Sequence, residues 1–272
     1  MEAFLNFFET MPSWQKFMWV IICISANWIV ELGLPLMNFN YKKWKHAGVN
    51  FVFLASDLTI NVIFSALTVG IFVWLSTNQY GLLNMIDLPI WAELFIAVAV
   101  LDLMAQYTVH YLLHKVNWMW RFHLVHHSDT QVDVTSATRH HPIDYVFREV
   151  FAMIAILIFG IPLAFYLFYR ILTVFFAYFT HANINMPATL DRVIGYVFVT
   201  PNMHKFHHHR ELPWTDTNFG NIFSIWDRAF GTLTYDDPTK IVYGLDIVDE
   251  SRDQDIAYQF KLPFDKSVNY KS

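Results

Sequence analysis

Twelve of the thirteen histidines in this 272-residue chain fall between His110 and His209, and only His46 lies outside that interval. His110 and His114 are four apart, which puts two imidazoles one above the other on the same face of a helix. His123, His126 and His127 stand at i, i+3 and i+4, and His204, His207 and His208 repeat the pattern. His209 would be turned about 100° from His208 and is left out. His140-His141-Pro142 and His181-Ala182-Asn183 lie between these clusters. One pair of histidines four apart is more often accident than site, but three clusters with ligand spacing are poorly explained by chance. Neutral imidazole is the commonest metal-binding side chain, and so many rings packed without a cation would bury donors and acceptors unpaired. About four ligands fill a zinc site; eight to ten converging histidines therefore imply two ions. Imidazole suits zinc, copper, iron and nickel alike, so ligand type does not choose the metal.

The elements that must carry these rings are apolar helices. Hydrophobic residues make up 55% of the chain and charged residues 15%, against about a quarter charged in soluble domains, and mean hydropathy is +0.33. Phe17 to Met37, Phe51 to Leu75 and, more weakly, Ile90 to Leu113 are each long enough to span a bilayer. The apolar stretch Val150 to Thr180 is too long for one ordinary span and is broken at Gly160-Ile161-Pro162. It reads as a helical hairpin that enters the membrane and returns on the same side. The net charge of −5 argues against a nucleic-acid partner, which would call for a basic face. The single cysteine, Cys23, excludes a disulfide framework and a thiolate-ligated metal. The acidic start and the length of the first apolar run do not suggest a signal peptide.

Charge asymmetry sets an orientation. Lys42, Lys43 and Lys45 lie between the first two spans, whereas residues 76–88 carry no lysine or arginine. The positive-inside rule then places every histidine cluster on the cytosolic side. The expected fold is an all-α, polytopic membrane helical bundle with a cytosolic-side, histidine-rich helical cap holding a di-metal centre. Its expected parts are N-terminal transmembrane helices (1–94), a histidine-box catalytic domain (95–235, including the hairpin 150–180) and a polar, solvated extension (236–272).

His110-x3-His114, Trp120-Arg-Phe-His123-x2-His126-His127-Ser128, Arg139-His-His141-Pro142, His181-x-Asn183 and His204-x2-His207-His208 follow one another in an order that resembles the fatty acid hydroxylase/sterol desaturase superfamily. The run from Asn218-Phe-Gly220 to Trp226-Asp227-Arg228-Ala-Phe230-Gly231-Thr232 looks like the segment that closes the domain in many bacterial members. The resemblance covers roughly residues 95 to 235. It implies a di-iron centre, with zinc able to occupy it in a purified form, and dioxygen as co-substrate. It also implies hydroxylation or desaturation of a sterol, fatty acyl chain or related lipid. The metal ligands it implies are His110, His114, His123, His126, His127, His181, His204, His207 and His208, with His141 at the family's His-Pro position. No catalytic residue separate from these ligands is expected. Where some members have a second ligand four residues after the first in the third region, this chain has Asn185.

Breaking an unactivated C–H bond is beyond an acid–base pair, so a redox metal must supply the oxidant. Asp102, His140, Asp144, Asn183, Asp216 and Asp227 are candidates for fixing imidazole tautomers. Lys205 and Arg210 are expected at solvated surface. No dinucleotide fingerprint or cluster-binding cysteine set is present, so the electrons are expected from an external carrier such as cytochrome b5 or ferredoxin with its reductase. The competing readings are a membrane metal transporter and a catalytically inactive, lipid-binding relative.

Overall fold

The computed structural model describes residues 1–212 and 214–270. Its helices are α1 (Glu2–Glu9), α2 (Ser13–Gly33), α3 (Lys43–Asn78), α4 (Ile90–Asp102), α5 (Val109–Lys115), α6 (Asn117–His127), α7 (Pro142–Phe159), α8 (Leu163–His181), α9 (Ala188–Ile194), α10 (Pro201–His207), α11 (Ile225–Phe230) and α12 (Ile256–Lys261). Among the described residues β-pairing is limited to two isolated bridges. Four stretches, Ser13–Gly33, Lys43–Met85, Ile90–Lys115 and Leu163–His181, are long and apolar enough to cross a membrane, and they make this a multi-pass membrane protein. Only 11% of the most apolar window of Lys43–Met85 is buried, so this span turns its side chains outward. Val62 and Ile63, 73% and 63% exposed, suit contact with lipid rather than water.

The first span stops earlier than composition suggests. Pro35 disfavours helix in the residue before it, and the chain instead bridges to Ile184, with Leu36 N–H donating to the Asn183 carbonyl at 3.1 Å. Helices α4 and α5 are joined by a stretch of wider, i→i+5 turns at Leu103–Thr108. α7 and α8 form a hairpin at Gly160–Pro162, whose tip meets the Tyr80–Asn84 segment at the end of the bundle away from the histidines. Gly160 has φ +67°, and a Cβ there would lie 2.3 Å from the Tyr80 carbonyl oxygen. With 18 and 19 residues, the two arms are each about 27–29 Å long and run the depth of the bundle.

The histidine end is tied by buried polar groups. His46, at the start of α3, is fully buried and donates from Nε2 to Asp129 at 2.9 Å, while its Nδ1 lies 3.2 Å from Asp133. Asp133 also receives Tyr41 and the Thr135 hydroxyl and caps the turn Val134–Thr138. Arg139, likewise buried, donates to the carbonyls of Val125 at 3.1 Å and Asp253 at 2.5 Å. The segment after residue 235 is thus more than a solvated extension. Leu262 and Tyr270 bury against Phe53, Trp120 and Leu124, and Gln259 accepts from Ser128 at 2.9 Å. Its apolar residues are interspersed with charges but placed to cover α6, which composition alone does not reveal.

Burial would push the Asp133 carboxyl up, but hydrogen bonds from His46, Thr135 and Tyr41 outweigh it and hold the group below its usual value. A carboxylate depressed in this way stabilises the fold above its unfolded value of about 3.9, and that contribution is lost as pH falls through the folded value. The gap in thermal unfolding midpoint between the wild type and Asp133→Asn should therefore be full at about pH 6 and shrink below about pH 4. Circular dichroism in detergent checks this, and a gap unchanged in acid would contradict it.

Candidate metal centre

Four helices deliver histidines to one buried region. Imidazole nitrogens of His110, His114, His123, His127 and His207 form one group, and those of His126, His181, His204 and His208 form a second; within each group all lie within 4.8 Å of one another. The i, i+3, i+4 triplets do not act as single sets. In α6, His123 and His127 join the first group while His126 joins the second; at α10, His204 and His208 join the second while His207 joins the first. Helix geometry explains the split. Residues i+3 and i+4 fall on opposite flanks of residue i, about 100° apart, so the middle histidine leans toward the neighbouring group.

The outer nitrogens of the first group are held by acceptors. His110 Nδ1 donates to the Phe219 carbonyl at 2.9 Å, His114 Nδ1 to Asp216 at 2.9 Å, His123 Nδ1 to Asp144 at 2.6 Å and His207 Nδ1 to the Thr217 carbonyl at 2.7 Å. In the second group His181 Nδ1 donates to the Ala177 carbonyl at 2.7 Å. Carbonyls and carboxylates accept only, so in each neutral ring the proton is on Nδ1 and the lone pair is on Nε2. In the first group two such lone pairs face each other, His110 Nε2 lying 3.0 Å from His123 Nε2; in the second the lone pair of His181 Nε2 looks onto His204 Nε2 at 3.0 Å and His126 Nε2 at 3.1 Å. With both protons of the His110–His123 pair pointing outward, no hydrogen bond joins it. A cation between the rings resolves the repulsion, and the donor set fits a metal.

Burial keeps the rings neutral. It lowers His123 to about 3, against an upward pull from Asp144. Burial and neighbouring histidines hold His126, His127, His204, His207 and His208 well below the usual imidazole value. Burial would raise the Asp144 carboxyl, but Arg148 at 3.0 Å and the two histidines it binds keep it ionised. The same contest at Asp216, with His114 and Lys115 as partners, brings it to about 2.

Of the residues expected to support the rings, Asp144 and Asp216 bind them directly. His140 stacks on His126 with centroids 4.3 Å apart and lies 3.3 Å from Asp144. Asp227 acts one step away, accepting from the backbone N–H groups of Phe219 and Gly220 at 2.8 and 3.0 Å. Asp102 instead binds the N–H groups of Ile222 and Phe223 and the Trp226 indole, joining α4 to α11. Asn183 brackets the backbone of Met37. His141 stands apart from both groups; its Nδ1 accepts from Ile143 N–H at the start of α7, beside Phe122 and Phe264. Asn185 is exposed, with its backbone N–H on the Leu34 carbonyl at 2.8 Å. His209 turns away, accepting from Val242 N–H at 2.8 Å.

Lys205 is not at the surface. It is 1% exposed, and its Nζ donates to the carbonyls of Ala182 and Ile184 at 3.0 and 3.3 Å, clamping the turn that follows His181. Glu31 holds the same turn from the other side, accepting from the N–H groups of Asn183 and Val134 at 3.0 and 2.9 Å and pairing with Lys43 at 3.2 Å. Glu31 is the one charged residue in the apolar run Phe17 to Met37. Its position near the span's end was the available signal, because a carboxylate there is costly without a partner. The carbonyls of Ala177, Thr217 and Phe219 carry no sequence signal, since every residue has one.

A model of the family described as fatty acid hydroxylase matches residues 94–232. The ornithine lipid hydroxylase of Rhizobium tropici is 35% identical over 128 residues, covering 47% of this chain and 38% of that protein. The alkylglycerol monooxygenase of Caenorhabditis elegans is 30% identical over 164 residues, covering 58% of this chain and 30% of that protein. A cholesterol 25-hydroxylase-like protein of the same organism is 30% identical over 57% of this chain and 53% of its own length. The chain thus spans well under two thirds of the length of these relatives. No solved structure matches it.

Glu31→Gln removes the charge from two backbone hydrogen bonds and one ion pair. The expected cost is about 2 kcal/mol, seen as a lower thermal unfolding midpoint in detergent, whereas an unchanged midpoint would show that the clamp contributes nothing.

Proposed function

Because the chain belongs to the fatty acid hydroxylase family, we propose that it is a membrane enzyme that oxidises a lipid C–H bond with dioxygen at a pair of iron ions. Nine histidines would hold the irons: His110, His114, His123, His127 and His207 around one, and His126, His181, His204 and His208 around the other. The observation that carries this reading is the meeting of Nε2 lone pairs whose Nδ1 protons are committed outward. When bound, the irons supply the oxidant that no acid–base pair provides.

The chain's own groups bind, orient and exclude water. Phe219, fully buried, lies edge-on to His110, His114 and His207, and Trp120 covers His114 and His127. Asp144 and Asp216 hold the Nδ1 protons of His123 and His114 and so keep each Nε2 free to ligate. The relatives are named for hydroxylation of an ornithine lipid and mono-oxygenation of an alkylglycerol, which favours hydroxylation of a membrane lipid here. In that reaction a lipid C–H, dioxygen, two electrons and two protons give an alcohol and water. The electrons would come from a separate carrier of the cytochrome b5 or ferredoxin type. Residues 95–235 would be the catalytic part, carried on the helices of 1–94 and covered by 236–272. Lys42, Lys43 and Lys45, near the histidine end of α3, favour a cytosolic site.

Lipid mass spectrometry of cells with and without the gene under labelled dioxygen tests the activity. One lipid class should gain a single heavy oxygen in the wild type and lose the label in His126→Ala and His207→Ala. Lipids identical across wild type and variants would refute it.

A further inference from the structure

The two histidine groups differ in how firmly their rings are set. The five-histidine group has four Nδ1 atoms on protein acceptors, two of them carboxylates. Those acceptors are themselves braced: Asp144 by Arg148, which donates onward to Gln106 at 3.0 Å, Asp216 by Lys115 at 2.7 Å, and Phe219 by Asp227. In the four-histidine group only His181 has such a bond. The Nδ1 atoms of His126, His204 and His208 are buried and meet no protein partner among the described residues. A ring whose outer nitrogen is unanchored has no hydrogen bond to fix its tautomer or its tilt. Four imidazoles also close off a metal less completely than five.

We infer that the two metal positions are unequal, the five-histidine position retaining its ion and the four-histidine position exchanging it. This rests on the two-metal reading above. An ion held by His126, His181, His204 and His208 would be the one open to an added ligand, and one held by the five-histidine group would keep the helices in register.

The test is metal release from the purified full chain, loaded with zinc to avoid redox changes and followed by mass spectrometry of the metal during challenge with a chelator. Two ions per chain should leave in two phases, one fast and one slow. His181→Ala should abolish the fast phase and leave the slow one. Asp216→Asn, a mild change at the edge of the five-histidine group, should speed the slow phase about tenfold or more and leave the fast phase unaltered. Two ions leaving together, or a slow phase lost in His181→Ala with the fast one kept, would overturn the inequality while the two-metal reading stands. A folded chain that takes up no ion would overturn both.

Discussion

Neutral imidazoles whose lone pairs face one another at about 3 Å repel, and the histidine end of this protein is arranged to hold His110 and His123 there. The outward N–H groups are fixed first, by carboxylates and by carbonyls of the surrounding loops. Each such bond leaves the inner nitrogen with nothing to donate. A positive charge at the middle of each group would replace repulsion by attraction, and the surrounding elements keep the rings in place for one.

The charged residues around the centre serve backbone more than other charges. Glu31, Asp102 and Asp227 each accept from two backbone N–H groups, and Lys205 and Arg139 each donate to two carbonyls. This follows from where the loops lie. Residues 128–141 and 182–184 run through the interior between helices, where water cannot satisfy their peptide groups, and an unpaired peptide group there is costly. Ionised side chains make stronger hydrogen bonds than neutral ones, so a few of them hold a long irregular stretch. They also connect the spans to the site: Glu31 reaches from α2 and His46 from α3 into the loops that carry or flank the clustered histidines.

The spans were legible because twenty or so apolar residues in a row have few other folds, and the histidine clusters were legible because a ligand pair on a helix has fixed spacing. The partition into two groups was not. His126 and His127 are neighbours in the chain yet serve different groups, and spacing within one helix cannot say which neighbour each flank will meet. The acceptors behind the rings divide in the same way. Asp144 and Asp216 stood out as acids near histidines, whereas the Phe219 and Thr217 carbonyls depend on loop paths with no residue code. Lys205 looked like surface because lysine usually is; only the turn after His181, folded over it, gives its charge a buried use.

The trade of middle histidines between α6 and α10 reaches beyond ligand count. His126 and His127 form one adjacent pair and His207 and His208 another, and each pair straddles both groups. The gap between the two centres is therefore spanned twice by a single peptide step at the end of a helix, among the shortest and stiffest struts a polypeptide has. The two histidine groups can thus move apart only if the ends of α6 and α10 deform.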